Sequence, residues 1–148
     1  MNIVRDYIYK DIASVNEESS LHRVINTMKL HRISAVPVVN NLGEYLGCIS
    51  ENEILSIAVP EYMKSMYNTS FMANLDRITA HLREILNQKA VKFVNVKYPS
   101  VKSTDSLSYA ADVLYRNHIN ILPVVEEKHL IGWISRIDIL SVSLDDID

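Results

Sequence analysis

Apolar and polar positions along this chain alternate between helical and strand spacing, and they do so twice in the same order. Leu21, Val24, Ile25, Met28 and Leu30 keep roughly helical spacing behind Ser19 or Ser20, so a capped helix with one buried face is expected from Leu21 onward. Ahead of it, Ile12-Ala13-Ser14-Val15-Asn16 reads as a short strand entering a polar turn, and Val4-Arg5-Asp6-Tyr7-Ile8 as a turn or short helix. Behind it, Ile33, Ala35, Val36, Val38 and Val39 form a strand-like run interrupted by Pro37. A turn at Asn40-Asn41-Leu42-Gly43-Glu44 returns the chain into Tyr45-Leu46-Gly47-Cys48-Ile49, and a helix follows from Ser50.

The order then begins again. Pro123 lies 86 positions beyond Pro37, and Gly132 lies 85 beyond Gly47, so the second hairpin, Glu126-Glu127-Lys128-His129, is one residue shorter than the first. Ser106-Leu107 matches Ser20-Leu21, Ser100-Val101 matches Ser14-Val15, and Phe93-Val94 echoes Tyr7-Ile8. From Gly47 through Ser56 and from Gly132 through Ser141, six of ten positions are identical. Such a repeat is too long for a solenoid unit; it suits a small αβ domain whose exposed face needs a partner, which the second copy can supply. The expected division is residues 1–56, a helical segment over 57–89, and residues 90–148. In the central segment Pro60 marks a break, Asn74 or Asp76 a helix cap, and Leu75, Ile78, Leu82, Ile85 and Leu86 one apolar face that covers the core or an oligomer surface.

Composition narrows the functions available to this fold. Of 148 residues 48% are hydrophobic, enough for a core, and the formal net charge of −3 provides no large positive field to gather nucleic acid or an acidic membrane surface. The single cysteine, Cys48, lies in an apolar strand and reads as a buried, inert thiol. No apolar run approaches the roughly 20 residues that span a bilayer, and the start lacks a secretory h-region, so a cytoplasmic protein is expected. The five histidines show no close metal-ligand spacing, and three glycines cannot write a Walker loop or a dinucleotide fingerprint. A catalytic triad can be assembled on paper in many ways, which gives it no weight.

The chemistry concentrates at Gly132-Trp133-Ile134-Ser135-Arg136-Ile137-Asp138 and its earlier copy, Gly47-Cys48-Ile49-Ser50-Glu51-Asn52-Glu53. Ser-x-x-Asp and Ser-x-x-Glu at a helix start are capping boxes, in which the serine accepts from the third N–H and the acid reaches back. The same groups suit a ligand. A carboxylate accepts charge-assisted bonds from both hydroxyls of a ribose, and a serine beside free helix N–H groups can hold a phosphate or ribose oxygen. The two roles can coexist. Trp133 reads as a packing anchor rather than a base-stacking platform.

The helix opened by Ser-Leu, the Ile119–Val125 run with Leu-Pro-Val-Val, and Gly-Trp-Ile-Ser-x-x-Asp, blocks that come in order and have related counterparts in the first copy (Ser20-Leu21, Val36-Pro37-Val38-Val39 and Gly47-Cys48-Ile49-Ser50-x-x-Glu53), resemble the CBS domain family, whose tandem pairs are called Bateman modules. The resemblance covers both repeats. It implies a mixed α/β fold of two β-α-β-β-α repeats packed about a pseudo-twofold axis with two clefts, and a disc-shaped homodimer formed through the helices that begin near Ser50 and Ser135. It also implies a non-enzymatic module that binds an adenine nucleotide such as AMP, ADP or ATP as regulatory ligand, needs no cofactor or metal, and signals to an effector protein. Carried over residue by residue, the favoured site comprises Ser135 and Asp138 for the ribose, with Tyr98, Ser100, Val101, Asn120, Ile121 and Leu122 around the base. The other comprises Ser50, Glu53, Ser14, Ser34, Ala35 and Val36, where Glu53 departs from the family's Asp by one methylene. Arg136, Lys102, Arg116 and His118 stand as cations for the first of these sites, and Lys29, His31 and Arg32 for the other. Two further readings remain open at this point: a sensor of another adenosyl ligand such as S-adenosylmethionine, and a ligand-free dimeric scaffold in which both motifs only cap helices.

Overall fold

A computed structural model describes residues 2–59 and 71–145, without the side chains of 71–74. Pro60 and the end of the second repeat, 146–148, lie outside the described residues. In the first half, β1 (Val15–Asn16) leads through α1 (Leu21–His31) to the parallel β2 (Ala35–Val39), which pairs antiparallel with β3 (Tyr45–Ser50) in the order β1-β2-β3. The chain continues into α2 (Glu51–Ala58) and α3 (Phe71–Ile85). The second half repeats the plan with α4 (Leu107–Arg116), the antiparallel pair β4 (Ile121–Glu126) and β5 (His129–Ser135), and α5 (Arg136–Ser141). Here the first strand shrinks to one parallel bridge, Val101 to Val124, the counterpart of Val15 to Val38.

The local signals account for most of these elements. Ser20 and Ser106 cap α1 and α4, each accepting from the amide three residues on, Arg23 and Tyr109. Both helices end in a left-handed residue, Arg32 at φ 56° and His118 at φ 53°. The second hairpin turns on Glu127 and Lys128, both at positive φ, which matches the twist of the strands they join.

Three expectations are corrected. The first strand is two residues long rather than five, because extending the parallel ladder toward Ala13 would require an N–H at Pro37, which has none. Leu30 is 74% exposed, since it lies two residues past Met28 and therefore about 200° around the helix. Asn74 and Asp76 lie inside α3, which extends back to Phe71 through Met72 and Ala73, residues that favour helix. The expected face of α3 is realised at its C-terminal end, where Ile85 is buried and Leu82 packs against the first core, while Leu75 is exposed.

Each core is completed by a segment from the other half. The first contains Leu21, Val24, Val36 and Ile49 together with Ala90 and Phe93, which follow α3. The second contains Leu107, Leu114, Leu122 and Ile134 together with Val4 from the beginning of the chain. The two exchanged straps are fastened alike. Tyr9 N donates to Trp133 O at 2.9 Å and Trp133 N to Tyr9 O at 3.1 Å, while Asn95 N donates to Cys48 O at 2.8 Å and Cys48 N to Asn95 O at 3.4 Å.

These crossings explain the two glycines that open the repeated motif. A Cβ on Gly47 would stand 2.4 Å from Asn95 O, and one on Gly132 would stand 2.8 Å from Tyr9 O. Gly47 also holds φ at +146°, where a side chain is strained. We therefore expect Gly47→Ala and Gly132→Ala each to destabilise the protein by about 2–3 kcal/mol, with Gly47→Ala the more severe. Urea denaturation measures this, and a loss below about 0.5 kcal/mol, the range of an ordinary surface substitution, would show that the straps do not press on the strands.

Candidate functional site

A cleft of about 840 Å³ lies where the two halves meet, bringing Ser34 and Arg32, just ahead of β2, together with Asn120, Ile121, Trp133 and Ser135 from the second half. Its inner wall is apolar, with Ile25 and Met28 of α1, Ile54 and Leu55 of α2 and Leu82 of α3, while Lys29, Arg32 and Glu51 bring charge to it. Across the boundary, Asn120 Nδ2 donates to Ser34 Oγ at 3.4 Å. These two residues are 86 apart and hold equivalent places in the repeats. Each also receives the first amide of a motif helix on its backbone carbonyl: Glu51 N to Ser34 O at 3.0 Å and Arg136 N to Asn120 O at 3.3 Å.

Ser135 ends β5 and caps α5. Its N–H and its hydroxyl both donate to Asp138 Oδ2, at 2.9 and 2.8 Å, while Asp138 N donates to Ser135 Oγ at 3.4 Å, closing a capping box. The earlier copy is built differently. Ser50 Oγ donates to Glu53 Oε2, but the Ser50 side chain takes no backbone cap bond. Glu53 accepts from its serine hydroxyl as Asp138 does, but Ser50 leaves the helix amide uncapped.

The favoured set divides four ways, and Asp138 is bonded to Ser135 without itself lining the cleft. Asn120 and Ile121 line the cleft with Ser135, and Leu122 is fully buried in the second core. Ser100 and the backbone-paired Val101 line a separate hollow of about 540 Å³ with Lys102, Asp105 and Lys128. Tyr98 is buried against Cys48 and Ala35, and its hydroxyl donates to Ile121 O at 2.7 Å. From the other set, Ser34 belongs to the open cleft, Ala35 to the cluster around Tyr98, and Val36 to the first core, while Ser14 is exposed ahead of β1.

The cations separate similarly. Lys29 and Arg32 line the cleft that contains Ser135. Arg136 turns away, donating to Ile119 O at 2.8 Å and Leu114 O at 3.4 Å, and Arg116 pairs on the surface with Asp112 at 2.6 Å. Sequence reasoning missed the apolar wall contributed by Ile25, Met28, Ile54 and Leu55. Their helical periodicity was visible, but which neighbour each face would meet was not.

Trp133 is 8% exposed, stacks on Tyr9 with ring centroids 6.1 Å apart, and still forms one wall of the cleft. Cys48, in the same place of the first repeat, is fully buried, and burial pushes its thiol up to about 12. It is therefore protonated and unreactive at neutral pH. Burial likewise raises the phenols of Tyr45 and Tyr98, with smaller contributions from Cys48 to both and from Glu53 to Tyr98. Among the described residues, no group of three or more His, Cys, Asp or Glu side chains could hold a metal ion, and no helix is long and apolar enough to cross a membrane.

A family model described as CBS domain matches residues 4–59 and again 89–145. An uncharacterized protein of Methanocaldococcus jannaschii is 27% identical over 152 aligned positions, covering 93% of this chain and 89% of that protein. The human 5'-AMP-activated protein kinase subunit gamma-3 is 28% identical over 133 positions, which cover 89% of this chain but 24% of the subunit. Among solved structures, CBSX2 in complex with AMP superposes with a TM-score of 0.73 at 16% identity, covering 97% of each chain.

Proposed function

The chain belongs to the CBS domain family as a tandem pair, and from that premise we propose that it is a regulatory, non-catalytic module that binds an adenine nucleotide in the cleft between its repeats and passes the change to a partner protein. The observation that carries this reading is the cleft's composition. Ser34 comes from one repeat and Ser135 from the other, so a ligand seated there touches both at once. The AMP complexed by CBSX2, together with the AMP for which the kinase subunit is named, supports the choice of ligand class.

In this reading the ribose hydroxyls replace the Ser135 hydroxyl on Asp138, a carboxylate already oriented by its cap, and the base lies against Ile33 and Trp133. Lys29 and Arg32 meet the phosphates. A ligand that binds both repeats stabilises whichever arrangement of them it fits better, and by no more than that difference in affinity. The output surface is the pair of motif helices. Leu55 on α2 is 51% exposed, Ile137 and Leu140 on α5 are 68% and 65% exposed, and this apolar surface is the proposed homodimer interface.

A second reading is favoured by the closed capping box, in which Asp138 has a structural occupation of its own. On that reading the protein is a scaffold and its surface is its function.

Calorimetry with AMP, ADP, ATP, S-adenosylmethionine and NADH separates the two. Binding of at least one adenine nucleotide, lost in Asp138→Ala, is the expected result. Indifference to every ligand, with Asp138→Ala costing only a cap's worth of about 1 kcal/mol, would leave the scaffold. For the interface, sedimentation should give a dimer that Ile137→Asp converts to a monomer, and a wild-type monomer at high micromolar concentration would rule the dimer out.

A further inference from the structure

The two clefts of a pseudo-symmetric pair need not be equally open. Tyr98, close enough to Glu53 for that carboxylate to act on its phenol, is 7% exposed and packs with Cys48, Ala35, Tyr45 and Ile119. Its hydroxyl donates to Ile121 O at 2.7 Å, and the neighbouring Tyr45 hydroxyl lies 3.5 Å from Cys48 Sγ. The symmetry-related positions differ. Ile12, which lies 86 residues before Tyr98, has no hydroxyl, and Trp133, in the place of Cys48, is held by its stack on Tyr9 and lines an open cleft.

We propose that Tyr98 is a built-in occupant of the Glu53 cleft: its ring fills the space and its hydroxyl takes the backbone acceptor that a ligand's amino group would need, so that the chain offers one ligand site rather than two. A carbonyl on the strand just ahead of the proline that both repeats carry is an acceptor that any base with an exocyclic amine could use, and Ile121 O already has its partner. Ser50 and Glu53 are bonded to each other in the same neighbourhood, so the carboxylate too is engaged from within. Specificity for a single site thus comes from a residue that excludes a ligand, not from one that binds it.

The ligand count rests on the nucleotide reading above, but the plug does not, and Cys48 beneath the ring reports on it without any nucleotide. In wild-type protein the thiol should react with a soluble disulfide reagent only as fast as the protein unfolds. Tyr98→Ala should raise that rate by about tenfold or more at unchanged circular dichroism, because opening the cover exposes the thiol. Tyr98→Phe, which retains the ring, should leave the thiol protected. Tyr98→Leu is read in the same way as the alanine variant if that variant does not fold. With AMP, calorimetry should give one equivalent per wild-type chain. A thiol as slow in Tyr98→Ala or Tyr98→Leu as in wild type, or two equivalents of AMP on the wild-type chain, would overturn the proposal. Protection that follows the prediction with no AMP bound would support the plug and reject the nucleotide reading alone.

Discussion

The structure depends on a close crossing made twice: a strap from one half lies across the strand of the other at a glycine. At Gly47 and Gly132 the approach leaves no space for a Cβ, and the backbone bonds at Cys48–Asn95 and Trp133–Tyr9 hold it in place. Val4 is thereby sealed into the second core, and Ala90 with Phe93 into the first. Neither half owns a complete core, so the duplicated units are bound together by exchanged backbone as well as by apolar contact. The straps join the two units across their boundary, and the boundary is where the cleft lies.

That constraint shapes the proposed function. A cleft that draws Ser34 from one repeat and Ser135 from the other can report the arrangement of the repeats only if each is rigid in itself, and the straps provide that rigidity. Within nearly equivalent frames, a few substitutions then differentiate the two clefts. Asp138 closes a capping box where Glu53 does not, Trp133 lines a wall where Cys48 lies beneath one, and Tyr98 carries a hydroxyl where Ile12 has none. The duplicated framework supplies the shape, and departures from the duplication decide what each side does.

Much of the fold was legible in the sequence because it is local. Ser20 and Ser106 mark helix starts by their own side-chain chemistry, and the alternation around Pro37 and Pro123 marks strands whatever they pack against. Duplication was legible too, including the echo of Tyr7-Ile8 at Phe93-Val94. What that echo meant was not. A strap that leaves its own repeat is a contact between residues far apart in sequence, and no periodicity encodes which half it will join. The candidate site was readable for the same reason up to a point: Ser135 and Asp138 are three residues apart on one helix start. The placement of Ser34 opposite Asn120, and the withdrawal of Tyr98 into a cluster with Cys48, depend on how two sheets meet.

Hydrogen–deuterium exchange with and without saturating AMP tests the central claim most directly, because it locates the ligand without altering the chain. Slowed exchange at residues 33–35 and 133–138, together with an unchanged rate at 94–98, is the result expected if the ligand bridges the repeats at the Ser135 cleft. Protection centred on 50–53 and 94–98, with none around Asp138, would contradict it.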